Sequence, residues 1–283
     1  MAKILRLETG ATLLEVTGNT LVGADLHGAV LLYASLRGTD LTGADLSGAD
    51  LCQADLRDVR FDDANLTGAD LTLSNVSGAS FERALLSDAQ LQAVSLGNPS
   101  RAGGSFREAD LSRVNLKNSN LSGADFRDAR ARRIDLTHCN LAEADFRGTD
   151  LTEANLSFSS LASAQLQGSS LVSALFNGST LAGAKLNNAD LAYTSFNGVR
   201  FAEADLTGAL LSKTVFARCP DLHQAIGLSL VRFLGPLSLD GETLRHALSR
   251  LPRGFLEELG LEQLDVDRLR GAIGAPTGAS TGA

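Results

Sequence analysis

The chain has 283 residues, of which 44% are hydrophobic, and its formal net charge is −8 at pH 7. This acidic balance argues against direct binding to nucleic acid, and no stretch is long and apolar enough to predict a transmembrane helix. The first residues lack the apolar core of a secretory signal, so we expect a cytoplasmic protein with no membrane partner.

Residues 1–20 precede a long repeat and contain six large aliphatic side chains. A solenoid must cover the open end of its first coil. We therefore predict that this segment is an N-terminal cap.

A period of five residues begins at Leu21 and runs to Phe216. Every fifth residue is Leu, Phe or Val at all but two of the forty positions, Arg101 and Ala131. A small residue usually lies two places before each of these central residues. Neither an α-helix nor a flat strand buries residues with this period. The pattern predicts that residues 21–218 form a coil, in which each pentapeptide is one side and points its central residue inward.

The phenylalanines indicate the number of sides. Nine of the twelve are central, and several are twenty residues apart, as Phe106, Phe126 and Phe146 are. Twenty residues are four pentapeptides, so we predict an all-β solenoid with a quadrilateral coil. Forty pentapeptides then make about ten coils and, at strand spacing, a rod of about 48 Å.

The residue before each central position is often acidic. Thirteen of these forty pre-central residues are Asp and six are Asn. Both side chains bond readily to backbone N–H groups at turns, so we predict that they brace the corners. Catalysis would need carboxylates in unlike environments, whereas a repeat places them in like ones. The three cysteines and four histidines show no metal-site spacing, so we predict no enzyme, no metal and no cofactor.

Several units follow the pattern A-(D/N)-L-x-x, among them Ala44-Asp45-Leu46, Ala49-Asp50-Leu51, Ala64-Asn65-Leu66 and Ala154-Asn155-Leu156. The repeat resembles that of the pentapeptide-repeat family over about residues 21–216. This resemblance implies a right-handed quadrilateral β-helix. It also implies a function, because the best-understood members resemble duplex DNA, bind type II topoisomerases such as DNA gyrase, and protect them from inhibitors, which gives antibiotic resistance.

The repeat is interrupted at residues 97–105, where a proline and three glycines predict a projecting loop. This loop is a candidate protein-binding site, and a tolerated insertion is the structural alternative. Its residues are Gly97, Asn98, Pro99, Ser100, Arg101, Ala102, Gly103, Gly104 and Ser105.

Arginines cluster after the loop. Some follow central phenylalanines at intervals of twenty and should form a column on one side. They are either a basic stripe for a partner or an ion ladder with neighbours such as Glu108 and Asp128. The candidate residues are Arg107, Arg127, Arg147, Arg130, Arg132 and Arg133.

Two acidic columns are also predicted, with their alignment across the loop left open. The first contains Asp25, Asp45, Asp125, Asp145 and Asp205, and the second contains Asp50, Asp70, Asp110, Asp150 and Asp190. Averaged along the rod, the net charge is about one per 7 Å, against about one per 1.7 Å in B-DNA.

From Cys219 to Gly274 the sequence changes character. Asp240 is expected to cap a helix that ends at Pro252, and a second helix should end at Gly260. The apolar residues of these helices either cover the last coil or form a dimer or docking contact. They are Leu244, Leu248, Leu251, Phe255 and Leu256. Residues 275–283 have the composition of a disordered tail.

The same segment is similar to a region that follows pentapeptide repeats in some multidomain bacterial proteins. The similarity rests on Cys219-Pro220-Asp221-Leu222, Gly227-Leu228, Gly235-Pro236, Thr243-Leu244, Leu251-Pro252, Phe255-Leu256 and Gly260-Leu261. In those relatives the region can lie beside a separate effector domain.

Three functions are therefore compared. The leading hypothesis is a non-catalytic protein-binding scaffold. The alternatives are a DNA mimic that protects a type II topoisomerase, and an adaptor that docks an effector through residues 219–274.

Overall fold

The computed structural model describes residues 1–95, 104–262 and 265–269. The strands are β1 (Ala2–Arg6), β2 (Thr12–Val16), β3 (Ala34–Ser35), β4 (Ser195–Asn197), β5 (Leu210–Leu211), β6 (Val215–Ala217), β7 (Arg232–Phe233) and β8 (Ser238–Leu239). The α-helices are α1 (Gly241–Ala247) and α2 (Arg253–Glu258), and residues 265–269 are also helical. None of the described helices has the length and apolarity needed to span a bilayer.

Most of the repeat is joined by single parallel bridges between residues twenty apart, such as Asp25 with Asp45 and Asp45 with Asn65. At each bridge a central N–H donates to a pre-central carbonyl in the next coil, as from Leu26 to Asp45 (2.7 Å). The pre-central N–H donates back, from Asp45 to Ala24 (2.9 Å). Because twenty residues are four pentapeptides, each coil has four sides, as the phenylalanine spacing predicts.

We number the sides 1 to 4 by the pre-central residues with which they begin, in the order Asp25, Val30, Ser35 and Asp40. Successive sides meet at a β-turn, which the small residue closes by donating to the central carbonyl, as from Ala29 to Leu26 (3.0 Å). The third residue of each turn, two places after the central one, is the corner residue. Gly28 at such a corner has a φ of 60°, in the left-handed region that glycine adopts without steric cost.

The inward side chains form one continuous core. Central phenylalanines stack on side 4, with ring centroids 4.6–5.1 Å apart. These stacked residues are Phe61, Phe81, Phe106, Phe126 and Phe146. A second stack on side 2 joins Phe176, Phe196 and Phe216 at 5.2 Å. Like residues thus stack on like, as predicted.

The interruption changes the bridge spacing from twenty residues to twenty-five. Ser80 pairs with Ser105, and the spacing returns to twenty when Ser105 pairs with Asp125. The five extra residues therefore lie between Ser95 on side 3 and Ser105 on side 4. The predicted loop ends too late, because Gly104 accepts from Asp125 and Ser105 donates to Ala79 in the ladder (both 3.2 Å). The rest of that predicted loop, residues 97–103, lies outside the described residues.

The prediction that the β-helix ends at residue 218 is wrong. Strand β7 pairs in parallel with β5, and β8 with β6, so the ladder continues. On side 4, Ile226 bridges Asp205 at a spacing of 21 residues. On side 3, the carboxylate of Asp221 accepts the N–H of Phe201 (3.0 Å), where a backbone carbonyl would otherwise serve. Longer corners hide this last coil from a search for a period of five.

Each end of the β-helix is covered differently. At the N-terminal end, β1 pairs antiparallel with both β2 and β3, which extends side 3 beyond the first coil and buries Ile4. At the C-terminal end, Asp240 caps α1 as predicted, and its carboxylate accepts the N–H of Thr243 (2.8 Å). Phe255 of α2 then packs against the ring of Phe216 in the core (6.1 Å between centroids).

Candidate protein-binding surfaces

The pre-central Asp and Asn side chains all brace corners. Each of the thirteen Asp side chains accepts the backbone N–H two residues further on, at 2.9–3.3 Å. The six Asn side chains do the same. The structural interpretation of the acidic row is confirmed.

The corner hydrogen bonds also lower carboxylate pKa values. The Thr42 hydroxyl and N–H hold the pKa of Asp40 below its ordinary value, and Ser47 does the same for Asp45. A carboxylate kept ionised by a turn is poorly suited to act as a general acid. Burial raises the pKa of the Cys52 and Cys139 thiols to about 12, so neither is a ready nucleophile.

The predicted acidic columns hold on each side of the interruption but join differently across it. The spacing of twenty-five places Asp25 and Asp45 on side 1 with Asp110, Asp150 and Asp190. Asp125, Asp145 and Asp205 lie on side 4, below Asp40. Asp50 and Asp70 lie on side 2, in line with Asp135. Each predicted column is thus divided between two sides.

Basic residues accompany the acidic ones along sides 1 and 4. When each pentapeptide is assigned to its side, side 4 has nine acidic and six basic side chains. Side 1 has seven acidic and five basic side chains. Within the described residues, neither side carries an uninterrupted negative column over its whole length. A charge stripe that resembles the DNA backbone would need such an uninterrupted negative column.

The predicted arginine column exists on side 4, and its members form ion pairs with neighbouring carboxylates. Arg127 contacts Asp125 (2.5 Å) and lies 3.7 Å from Asp145. Arg147 contacts Asp145 (2.6 Å), and Arg107 contacts Glu108 (3.3 Å). These contacts form an ion ladder within the chain, which was the alternative to a basic stripe for a partner.

The second arginine group lies one corner away. Arg132 contacts Asp150 (3.4 Å), and Arg133 contacts Glu153 (2.7 Å). Arg130 stands in the side 1 ladder next to Asp110 and Asp150. Five of the six predicted basic residues therefore form ion pairs within the chain.

The predicted dimer or docking contacts face inward. Leu248 and Phe255 are each 1% exposed, and Leu251 and Leu256 are also buried. The ring of Phe255 contacts those of Phe216 and Phe233, so these side chains cover the last coil. Leu244 is half-buried against the same core. Within the described structure, the chain itself occupies most of these apolar faces, which is the covering role weighed against a dimer or docking contact.

A surface that the sequence analysis missed runs along the corner between sides 2 and 3. Its seven corner residues stack in consecutive coils, and none is acidic, Lys or Arg. We call it the neutral corner, and it consists of Tyr33, Gln53, Leu73, Ala93, Asn118, His138 and Phe158. Backbone hydrogen bonds between successive coils fix this order. The N–H of Leu73 donates to the carbonyl of Gln92, which directly precedes Ala93 (3.0 Å), and the N–H of Phe158 donates to the carbonyl of Asn177 (2.7 Å).

The neutral corner presents large apolar side chains to solvent. Leu73 is 58% exposed and Phe158 is 59% exposed. The Phe158 ring stacks on His138, with centroids 5.0 Å apart and planes 10° apart. It also lies over Gly178, where an added Cβ would come within 2.8 Å of the ring. Near the other end, Leu7 and Leu73 line a shallow cavity of about 200 Å³.

Backbone geometry makes these side chains unusual. Twenty-four described non-glycine residues have a positive φ, and eleven of them are uncharged when His is counted as neutral. Seven of those eleven form the neutral corner. Bulky residues seldom adopt this conformation, which Gly, Asn and Asp adopt more readily. Stepping along the corner positions instead of the central ones would have found this signal in the sequence.

Within the described residues, no group of His, Cys, Asp or Glu is arranged to hold a metal ion. The described repeat thus presents an exposed ridge of uncharged side chains on a regular hydrogen-bonded ladder.

Family models match most of the repeat. The model "Pentapeptide repeats" matches residues 20–58, 60–98, 159–198 and 194–226, and "Pentapeptide repeat region" matches residues 102–176. No curated protein sequence is similar enough to this chain to count as a match.

Several solved structures are similar. HetL, a pentapeptide repeat protein involved in heterocyst differentiation regulation in the cyanobacterium Nostoc, is 30% identical, with 74% of this chain and 86% of HetL covered and a TM-score of 0.36. A trypsin-treated variant of QnrB1, a plasmid-mediated fluoroquinolone resistance protein, is 23% identical. The match covers 71% of this chain and 93% of the QnrB1 chain, with a TM-score of 0.46.

A pentapeptide repeat protein from the Arabidopsis thaliana thylakoid lumen is 30% identical over 42% of this chain and 66% of its own, with a TM-score of 0.23. The family models together cover more than half of the chain. This chain belongs to the pentapeptide repeat family.

Proposed function

We propose that the protein is a non-catalytic protein-binding scaffold, a right-handed β-helix of about ten coils with a C-terminal helical cap. We further propose that it binds its protein partner along the neutral corner. The observation that carries this proposal is the exposure of Leu73 and Phe158 on left-handed corner residues.

The left-handed conformation of Leu73 and Phe158 has a conformational cost. A residue with a Cβ in the left-handed region costs roughly 1 kcal/mol more than glycine there. The corner itself needs no large side chain, since many other corners of this chain are glycine. Leu73 and Phe158 therefore carry a backbone conformational cost that glycine would avoid at these positions. Strain of this kind tends to be kept where the side chain has a use.

The chemistry of the neutral corner fits a protein partner. Interface cores are poor in charged residues and rich in aromatic ones, and a few such residues supply most of the binding energy. The seven residues span six coil steps, which is about 29 Å. Flanking groups such as Asn75 and Asn120 on side 3 can donate and accept hydrogen bonds at the rim.

A second candidate is DNA mimicry directed at a type II topoisomerase. One local observation favours it: within the described residues, four aspartates in the first coils of sides 1 and 2 have no ion pair with Lys or Arg. They are Asp25, Asp45, Asp50 and Asp70. The ion ladder on side 4 counts against extending this patch along the rod.

An affinity capture from host lysate tests the proposal. The baits are the wild-type protein, Leu73→Asn/Phe158→Asn, and the matched control Tyr193→Asn. Tyr193 is also an exposed aromatic corner residue, but it lies at another corner, beneath Lys213. Asn tolerates the left-handed region, so all three baits should fold.

We expect one protein to be captured by the wild type and the Tyr193 variant and lost from the double variant. Equal capture by all three baits would overturn the neutral corner as the binding surface. Capture of a topoisomerase that depends on Asp45 and Asp50, tested with Asp45→Asn/Asp50→Asn, would favour DNA mimicry instead.

A further inference from the structure

The first coil has an open edge that later coils do not have. In the ladder, each pre-central N–H and carbonyl bonds to the preceding coil, as Asp45 does with Ala24 and Leu26 (2.9 and 2.7 Å). Asp25 and Val30 begin sides 1 and 2, and in the described chain no coil precedes them. On side 4 residues 20–24 already precede Asp40, since the N–H of Gly23 donates to the carbonyl of Thr42 (2.9 Å). The backbone groups of Asp25 and Val30 have no ladder partner in a preceding coil among the described residues.

Side 3 shows what kind of strand this edge accepts. There β1 pairs with β3 in an antiparallel register, with Leu5 opposite Ser35 and Arg6 opposite Ala34. Strand β2 pairs with β1 and lies at the outer edge of the sheet. The end of the β-helix therefore takes antiparallel strands, although its coils are joined in parallel. The hairpin covers side 3 and residues 20–24 cover side 4, so the edges of sides 1 and 2 and the outer edge of β2 remain open.

The same end is apolar and nearly neutral. Five of the fourteen exposed large hydrophobic side chains of the described chain lie in its first thirty residues: Met1, Leu5, Leu7, Val22 and Val30. Val30, on the open edge of side 2, is 71% exposed. Residues 1–30 contain two basic and three acidic side chains, so they carry little of the chain's net charge of −8.

Both signs of charge are present at this end, and Lys3 and Glu15 contact each other (2.8 Å). The C-terminal end differs, because α1 and α2 cover its last coil and bury Leu248 and Phe255. Self-association at the N-terminal end is therefore little opposed by charge, and exposed apolar side chains favour it.

We propose that the N-terminal ends of two copies of this chain pair head to head about a two-fold axis. Reversing one copy reverses the direction of its strands, so edges that meet across the axis are antiparallel, as β1 and β3 are. The contact joins the open first-coil edges and β2, and it buries the apolar side chains around Val30. A two-fold contact of this kind closes on itself and forms a dimer, not a filament. This inference is independent of the partner bound at the neutral corner.

Sedimentation velocity of the full chain over a concentration series tests the proposal. The variant is Val30→Lys, which places a charge on the open edge and should prevent strand pairing. The matched control is Leu175→Lys, the same pre-central position on side 2 in the middle of the ladder, also exposed. Circular dichroism checks that both variants keep the wild-type fold.

We expect a concentration-dependent dimer for the wild type and Leu175→Lys, and a dimer dissociation constant raised by roughly tenfold or more for Val30→Lys. A wild type that stays monomeric throughout would overturn the proposal and leave the edge to a different protein. A dimer that Val30→Lys does not weaken would also overturn it. Hydrogen exchange supplies a second readout, with concentration-dependent protection expected in β2 and near Val30 and none in α1.

Discussion

The ring of Phe81 stacks on that of Phe106 at 4.9 Å between centroids, although 25 residues separate them in the chain. Every other neighbouring pair in the side 4 stack is twenty residues apart, as Phe61 and Phe81 are. The five extra residues therefore leave the core unbroken and the register intact.

Deleting residues 98–102 should leave the β-helix folded. The deletion joins Leu96-Gly97 to Gly103-Gly104-Ser105, a pentapeptide with glycine at the corner position. Shortening a surface loop also lowers the entropy cost of closing it slightly. We expect an unchanged circular dichroism spectrum and a thermal midpoint equal to or above that of the wild type.

The comparison for this deletion is removal of residues 97–103, which leaves no residues for the turn and should destabilise the protein strongly. Loss of structure in the five-residue deletion would show that the excursion is part of the fold.

Ala131 and Ile134 should be energetically coupled. Ala131 is the one central alanine of the described repeat, and Ile134 occupies the small-residue position of the same turn; both are fully buried. Ala131→Leu alone should overpack this turn by about 1–3 kcal/mol. Ile134→Ala alone should leave a cavity that costs about 2–4 kcal/mol.

The double variant restores the usual large and small residues, so its cost should be well below the sum of the single costs. Urea unfolding of the four proteins gives the coupling free energy. Additive effects would contradict the idea that Ile134 replaces the volume missing at Ala131.

The stabilisation of the corner by Asp190 should depend on its hydrogen-bond acceptor, the side-chain oxygen Oδ1, and not on the negative charge of the carboxylate. Within the described residues, the Asp190 carboxylate accepts only the N–H of Ala192 (3.0 Å), which makes it a clean test of the corner hydrogen bond. Asp190→Asn keeps this acceptor and should change the free energy of unfolding little. Asp190→Ala removes it and should cost roughly 1 kcal/mol. Equal stability of the two variants in urea unfolding would refute the bracing role.

Stability should fall in acid through Asp55. Hydrogen bonds from the Arg57 side chain, at 2.7 Å from its Nε, hold the pKa of this buried carboxyl below its ordinary 3.8. A lowered folded-state pKa adds stability above the unfolded-state pKa, and this stability is lost as the pH falls through the folded value. Chemical unfolding at several pH values should therefore show a shallower acid loss in Asp55→Asn. A pH profile identical to that of the wild type would contradict this.

Much of the fold was predictable because one period controls it. Central residues from Leu21 to Phe216, corner-bracing Asp side chains and the spacing of Phe106, Phe126 and Phe146 each depend on local repetition, which a single sequence displays. The capping of α1 by Asp240 was predictable for the same reason, since it involves only neighbouring residues.

The rest depends on relationships between coils. The last coil was missed because Ile226 lies 21 residues after Asp205, a spacing that no fixed period finds. The alignment of the acidic columns across the interruption could not be predicted, because the register beyond Ser95 depends on how many extra residues the interruption contains. Leu248 was offered as a docking contact because an apolar helix face looks the same whether the chain itself or a partner covers it. The neutral corner was missed because attention to central residues passes over residues two places later.

Site-specific photo-crosslinking in the host tests the central claim most directly. A photoreactive aromatic amino acid replaces Phe158 in one protein and Tyr193 in another, so that both probes are exposed corner residues. The account predicts a discrete adduct with a second protein from position 158, absent from position 193 and reduced by Leu73→Asn. An absence of adducts at position 158, or the same adducts at both positions, would contradict a binding scaffold that uses the neutral corner.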